Sequence, residues 1–328
     1  MRDIAALLSA ALGRPLAASE RLAVAVSGGP DSLALLNFAA TALPGQTTAL
    51  TVDHGLRAAS AGEATTVAAL CHTLAIPHVT LSWTGPKPRT NIQAAARTAR
   101  YALMGDWCAT AGVGLLLTAH HADDQAETLL MQLQRGSGTA GLAGIRAARA
   151  LRPGVTLVRP LLEIRRAELA AIVADARWTP LDDPSNADPR YVRTRVRALM
   201  AGNDAFDVPR IAAVAAHLAE AEAALDWAAT RAWAGGARVT AAAVHLDVND
   251  LPKELVRRLV LRAIATIVPA ARPDGAALTG LIVRVAAGGT ATLSGVKVQG
   301  GETWRFGHAP PRRKTRQNAV LLGQNRTG

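Results

Sequence analysis

Between Leu22 and about Arg177, short apolar runs of strand length alternate with longer stretches whose apolar residues recur at helical spacing. Residues 22–26, 48–52, 78–82, 115–119 and 156–158 predict strands. Residues 33–43, 62–74, 92–110, 123–134 and 165–177 predict helices. Parallel strands need a long crossover, which a helix supplies, so this alternation predicts an α/β fold: a parallel sheet with helices on both faces. Ligands of such sheets bind beyond the carboxyl ends of the strands. Three polar segments fall on that edge: the loop at Ser27, the segment at Asp53 and the pair His120-His121.

The pattern changes further along. Residues 180–189 are rich in Pro, Asp, Ser and Asn and predict a loop. A basic helical stretch from Arg193 to Met200 precedes a long alanine-rich helix at 208–233. Beyond Thr240, helices at 251–268 and 276–287 and strands at 291–298 and 302–306, set around a Gly-Gly turn, predict a small mixed α+β domain. The division expected is an α/β domain at 1–205, a helical connector at 206–239, a C-terminal domain at 240–309 and a flexible basic tail at 310–328.

The 328 residues are long enough for two cores, and 50% hydrophobic against 19% charged residues predicts a mostly folded chain. A net charge of +11 favours a polyanionic partner, nucleic acid above all. Cys71 and Cys108 form no Cys-x-x-Cys pair, so they suggest neither zinc nor an iron–sulfur cluster and read as buried thiols in a reducing cytoplasm. Asp3, Arg14, Glu20 and Arg21 interrupt any secretory signal, and no stretch is apolar enough to span a bilayer. The expected location is cytoplasmic.

Ser27-Gly28-Gly29-Pro30-Asp31-Ser32 lies between a predicted strand and a predicted helix. Glycines let the backbone turn its N–H groups onto an anion, and the helix adds its first-turn N–H groups and the positive end of its dipole. Ser27 and Ser32 supply hydroxyls, while Asp31 suits a magnesium ion or a helix cap. There is no Gly-Lys-Ser/Thr ending and no dinucleotide fingerprint. The alternative reading is a plain Gly-Pro turn. The second loaded segment is His120-His121-Ala122-Asp123-Asp124-Gln125-Ala126-Glu127-Thr128. Asp123, Asp124 and Glu127 share one helical face, which suits a metal or a cationic substrate, or else simply complements the helix dipole.

The six-residue loop resembles the pyrophosphatase loop of enzymes that split ATP into AMP and pyrophosphate. With Val52-Asp53-His54-Gly55-Leu56-Arg57, His120 to Thr128, Arg135-Gly136-Ser137-Gly138, Arg159-Pro160-Leu161-Leu162 and Asp183-Pro184-Ser185-Asn186 in this order, residues from Leu22 to Met200 resemble the tRNA(Ile)-lysidine synthetases. Thr292-Leu293-Ser294-Gly295 is similar, more weakly, to that family's tRNA-contacting domain. Two departures stand out: Thr194 follows Arg193 where the family usually has Asn, and the longer members' extra C-terminal domain is expected to be absent.

The resemblance implies an adenine-nucleotide alpha-hydrolase-like, Rossmann-like fold and a two-step reaction. ATP adenylates the carbonyl oxygen of the wobble cytidine in a CAU-anticodon isoleucine tRNA, and the side-chain amine of L-lysine then displaces AMP. It implies an ATP site at Ser27, Gly28, Gly29, Pro30, Asp31, Ser32, Asp53 and His54, with magnesium at Asp31. Asp123, Asp124 and Glu127 would bind lysine; Asp31, Asp123, Glu127 and Arg97 would be catalytic. Arg97 and Arg100 share a helical face suited to ATP phosphates or tRNA, and Arg135, Arg193, Arg195 and Arg197 are expected on the tRNA backbone. A homodimer is a further expectation. Trp233, Trp304 and Phe306 are expected in cores rather than against bases. The rival readings are an ATP-dependent tRNA sulfur transferase, an amide- or nucleotide-forming ligase of the superfamily, and a non-catalytic RNA-binding protein on a decayed ATP scaffold.

Overall fold

A computed structural model describes residues 3–57, 59–88, 90–181 and 188–310. The Asp183-Pro184-Ser185-Asn186 segment and the tail beyond Pro310 lie outside the described residues. The chain forms two compact units, Met1–Glu222 and Ala223–Gly328.

The first unit opens with α1 (Ile4–Leu12), β1 (Leu22–Ala25), α2 (Pro30–Ala42) and β2 (Thr47–Asp53). It continues through α3 (Ser60–Thr73), β3 (His78–Ser82), α4 (Ile92–Ala111), β4 (Leu115–Leu117) and α5 (Ala122–Gln134). The short α6 (Thr139–Leu142), β5 (Ala148–Arg152), β6 (Val155–Val158), α7 (Arg166–Asp175) and α8 (Val192–Met200) follow, and α9 (Val208–Gly236) contains the division between units.

The sheet order is β3-β2-β1-β4-β6-β5. Five strands run parallel, as expected, and β5 is an antiparallel edge strand paired with β6 through a bulge between Ala150 and Arg152. Successive strand residues serve opposite faces. Leu22 and Val24 join a core with α1, α2, α3 and α7, whereas Ala23 packs with Met104 and Cys108 of α4. Burial on both faces is why these strands are continuous apolar runs rather than alternating ones.

From β1 the chain steps outward to β2 and β3 and then returns to place β4 on the other side of β1. The carboxyl ends of β1 and β4 therefore form the point where strand order reverses, and a crevice opens there. The glycine loop follows β1 and the His120 segment follows β4. Residues 90 positions apart are brought side by side by this order alone.

The second unit holds β7 (Ala237–Val239), β8 (Val244–Leu246), α10 (Lys253–Ile267), α11 (Gly275–Ala286), β9 (Thr290–Leu293), β10 (Val296–Gln299) and β11 (Trp304–His308). Its antiparallel sheet, β7-β8-β11-β10-β9, packs with α10 and α11 around Val260, Ile264, Leu281, Trp304 and Phe306. The single strand expected at 291–298 is instead a hairpin. Ser294 and Gly295 both adopt positive φ, 49° and 81°, which suits a two-residue turn that reverses the chain between β9 and β10. Trp304 and Phe306 are buried in the core, and Trp233 packs at its edge beneath the Arg262 guanidinium.

Candidate active site

The glycine loop is shaped by Gly28, whose φ of +85° lies in the left-handed region. A Cβ there would also meet Leu181 Cδ1 at 2.5 Å, and Leu181 N–H donates to Gly28 O at 2.9 Å. Pro30 takes the first helical position of α2, where a missing N–H is tolerated. Gly29 is the N-cap and contributes no side-chain cap, so the start of α2 is not closed by its own N-cap side chain. Ser32 Oγ accepts from Ser27 N–H at 3.1 Å and donates to Gly29 O at 2.9 Å, pinning the loop. The two serine hydroxyls lie 3.3 Å apart.

Asp31, in the first turn of α2, does not cap the helix. Its Oδ2 lies 3.5 Å from His121 Nε2, and its buried Oδ1 has no hydrogen-bond partner. His121 is buried and is the N-cap of α5. Its Nδ1 accepts from Asp124 N–H at 3.4 Å, and Asp124 Oδ2 accepts from His121 N–H at 3.2 Å, closing a capping box. With Nδ1 accepting, the ring proton sits on Nε2 and faces Asp31. Burial disfavours the imidazolium, but the bond to Asp31 and the charges of Asp124, Asp31 and Asp123 outweigh it and raise the pKa of His121.

The other acids of α5 are not free. Asp123 accepts two bonds from the Arg165 fork at 3.2 Å and one from Arg166 N–H at 2.8 Å. Burial works against its ionised form, but these donors hold its carboxyl below the usual range. Glu127, only 2% exposed, accepts from Arg197 at 2.7 and 3.2 Å and lies 3.4 Å from Arg193 Nε. Arg193 also donates to Thr128 Oγ1 at 3.1 Å. Arg193 and Arg197, four residues apart on α8, both reach Glu127 while their side chains stay 40% and 32% exposed. Arg195 is exposed and donates to the carbonyls of Pro189 and Arg190, and Arg135 is exposed at the end of α5. A cavity of about 520 Å3 opens beside these pairs, lined by Asp123, Glu127, Arg165, Arg197, Phe206 and neighbours.

Asp53 and His54 lie at the end of β2, on the same sheet edge, but their side chains are used locally. Asp53 Oδ1 accepts from Ser60 Oγ at 2.6 Å and from Gly55 N–H at 2.9 Å, which holds its carboxyl below the usual range. His54 Nδ1 accepts from Leu56 N–H at 3.1 Å. Burial first, then Arg100 and Arg57, pushes its pKa down. Arg97 Nη2 reaches to 3.5 Å from His120 Nε2. Sequence reasoning missed Arg165 and Leu181, which carry no motif of their own, and the contact of His121 with Asp31, which follows from strand order.

A glycine loop between strand and helix at the switch point, with one unpartnered acid oxygen in the turn that follows, is the pattern of its class: an ATP-dependent PP-loop enzyme. Residues 2–202 match the PP-loop domain family. Over 303 residues the chain is 46% identical to the tRNA(Ile)-lysidine synthase of Novosphingobium aromaticivorans, spanning 91% of this chain and 92% of that one. It is 44% identical over 307 residues to the tRNA(Ile)-lysidine synthase of Zymomonas mobilis subsp. mobilis, spanning 92% of each. The chain belongs to the tRNA(Ile)-lysidine synthase family, ATP-dependent ligases that form a carbon–nitrogen bond. The U34-tRNA thiolase NcsA from Methanococcus maripaludis, solved with its 4Fe–4S cluster, aligns at a TM-score of 0.54 and 16% identity over 67% of this chain and 78% of that one. That likeness is one of fold. Among the described residues, no helix is long and apolar enough to cross a membrane.

Proposed function

We propose that the glycine loop and the first turn of α2 hold the phosphates of ATP that leave as pyrophosphate, and that Asp31 carries a magnesium ion to them. The observation that supports this is the buried Asp31 Oδ1, which has no hydrogen-bond partner. Magnesium takes one or two carboxylates and completes its shell with water and substrate phosphates, so a single unpaired carboxylate oxygen beside a phosphate loop fits it. When bound, the ion would neutralise charge developing on pyrophosphate. His121 Nε2 engages the carboxylate's other oxygen at 3.5 Å, which leaves Oδ1 for the ion.

The carbonyl oxygen of the wobble cytidine attacks the α-phosphorus of ATP, and pyrophosphate leaves. The lysine side-chain amine then attacks the base carbon, and that oxygen departs with AMP. Free L-lysine carries both signs of charge, and the cavity by α5 is lined by both: Asp123 and Glu127 for ammonium groups, Arg165 and Arg197 for the carboxylate. Asp123 is held ionised by Arg165, so it suits a charge partner for lysine better than a proton acceptor. The second unit supplies tRNA affinity and no catalytic group.

The sulfur-transfer reading has less support. Cys71 and Cys108 are buried in cores on opposite faces of the sheet and cannot act together on one group.

The test supplies ATP, labelled lysine and unmodified CAU-anticodon isoleucine tRNA, followed by base analysis. Label is expected in the wobble base only when all three are present. Asp31→Asn should slow pyrophosphate release roughly a hundredfold while the folded content is unchanged. Incorporation without ATP, or full activity in Asp31→Asn, would refute the assignment.

A further inference from the structure

Helix α9 buries Val208, Ala215 and Glu222, which are seven residues apart and so lie on one face. Val208 packs with Ala122 and Ala126 of α5. Ala215 meets Gly144, where a Cβ would come within 3.2 Å of the Ala215 Cβ and 2.4 Å of Gln125 Oε1. Gly144 also has a φ of +65°, which glycine alone adopts without strain. The third position on this face is a carboxylate. Glu222 is buried, accepts from Thr139 Oγ1 at 2.9 Å and lies 4.0 Å from Arg146 Nη2. All of these residues belong to the first unit.

An alanine would close this seam at no electrostatic cost, whereas a buried carboxylate must be desolvated and held by partners. Thr139 and Arg146 both lie in the segment that joins α5 to β5, and the far end of that segment reaches the crevice. Gln125 of α5 is buried and grips Ile145 with both its polar atoms. Its Oε1 accepts from Ile145 N–H at 2.6 Å, and its Nε2 donates to Ile145 O at 3.0 Å. Arg146 O accepts from Arg159 Nη1 at 2.6 Å, and Arg159 N–H donates to Ala147 O at 2.8 Å. Arg159 follows β6 on the sheet edge where His120 follows β4. Glu222 thus stands behind a continuous polar chain: Thr139 and Arg146 first, then Gln125 on α5 and Arg159 at the crevice.

We propose that Glu222 is a positioning residue for the ligase reaction: by holding residues 139–146 against α9, it fixes where α5 and Arg159 stand at the crevice. It acts through Thr139 and Arg146 and touches no substrate. The proposal rests on the family's carbon–nitrogen ligation, and it is independent of magnesium at Asp31 and of the lysine cavity.

Three variants test it: Glu222→Gln, Glu222→Leu and Thr139→Val. For each, kcat and the KM values for ATP and lysine are measured in lysidine formation, well below that variant's own unfolding midpoint. Hydrogen exchange of residues 139–146 is followed by mass spectrometry on the same preparations. Misplacement by about 1 Å from a change far from the chemistry can cost roughly a hundredfold, so Glu222→Leu should lower kcat about tenfold, with both KM values within about twofold. Exchange in 139–146 should quicken in the same variant. Glu222→Gln still accepts from Thr139 and should recover most of kcat. Thr139→Val should lower kcat about threefold, and adding it to Glu222→Leu should cost nothing further, since the two changes remove one shared interaction. A residue that only stabilises the fold would lower the unfolding midpoint and leave kcat unchanged at low temperature, and that result overturns the proposal. Losses in Thr139→Val and Glu222→Leu that multiply overturn it as well. Should Glu222→Leu not fold, unchanged kcat and exchange in Thr139→Val overturn it on their own. If the unaltered enzyme forms no lysidine, the functional reading has failed, and exchange in 139–146 still decides whether Glu222 holds this segment.

Discussion

Glu127→Gln separates two roles that the α5 acids are able to play. In the structure this carboxylate is 2% exposed and clamped by Arg197 through two bonds, with Arg193 beside it. Removing one partner of a fully buried ion pair costs about 3–5 kcal/mol, because the remaining charge is left uncompensated. The Arg197 and Arg193 side chains are 32% and 40% exposed, so water replaces part of what Glu127 supplied. Roughly half the buried figure, about 2 kcal/mol, is expected. For a unit of this size that lowers Tm by about 4–8 °C. Scanning calorimetry measures the shift, and lysine dependence is measured on the same preparation below the transition. Arg197→Met alone should cost at least as much as Glu127→Gln, since it leaves the buried Glu127 carboxylate with only Arg193 beside it. The double variant should recover part of the loss, because two neutral groups of similar size strand no charge. An unchanged Tm in Glu127→Gln would refute the clamp, and lysine use abolished in the same variant would leave the contact with lysine as the role of this carboxylate.

Three further outcomes are expected. Gly28→Ala should raise the KM for ATP about tenfold or more, because a left-handed φ and a Cβ 2.5 Å from Leu181 Cδ1 both force the loop to shift; unchanged pyrophosphate exchange would contradict this. Cys71 and Cys108 are buried, and burial pushes both thiols up to about 11, so at pH 8 both remain protonated and should resist iodoacetamide until the chain unfolds, as read by mass spectrometry. A chain ending at Trp233 should still bind ATP but bind tRNA weakly and with a shallower salt slope; undiminished tRNA affinity would remove the role given to the second unit.

The strands that carry the site were legible because each is buried on both faces and so reads as an unbroken apolar run. β5 was not: Ala148-Arg149-Ala150-Leu151-Arg152 lies on an edge, three of its five residues are exposed, and a short basic segment there looks like loop. The hairpin at Ser294-Gly295 was hidden because its two strands are apolar enough to read as one. Within the site, the glycine loop and the α5 acids were legible as motifs, but their partners were not. The contact of Asp31 with His121 depends on β4 lying beside β1, a fact of strand order that no local pattern encodes. The spacing of Arg193 and Arg197 shows that they share a face of α8, yet only packing against α5 decides that this face points at Glu127 rather than at solvent.

Charge pairing then assigns work to the two sides of the crevice. On the α5 side the acids are nearly all matched: Asp123 by Arg165, Glu127 by Arg197 and Arg193, Asp124 by the capping box with His121. Among the described residues, Asp31 Oδ1 is buried without a hydrogen-bond partner, in the turn of α2 that follows the glycine loop. On the α4–β5 side Arg97, Arg149 and Arg159 have no carboxylate among the described residues. A net charge of +11 is thus a local property as well as a bulk one, since unmatched positive charge borders the crevice where ATP and tRNA must meet. Two polyanions repel each other, and bringing a cytidine carbonyl onto the α-phosphorus of ATP requires that repulsion to be cancelled within the crevice itself. In the function proposed, a magnesium ion at Asp31 and the unpaired arginines would supply that cancellation, and Asp123 and Glu127 would face the ammonium groups of lysine.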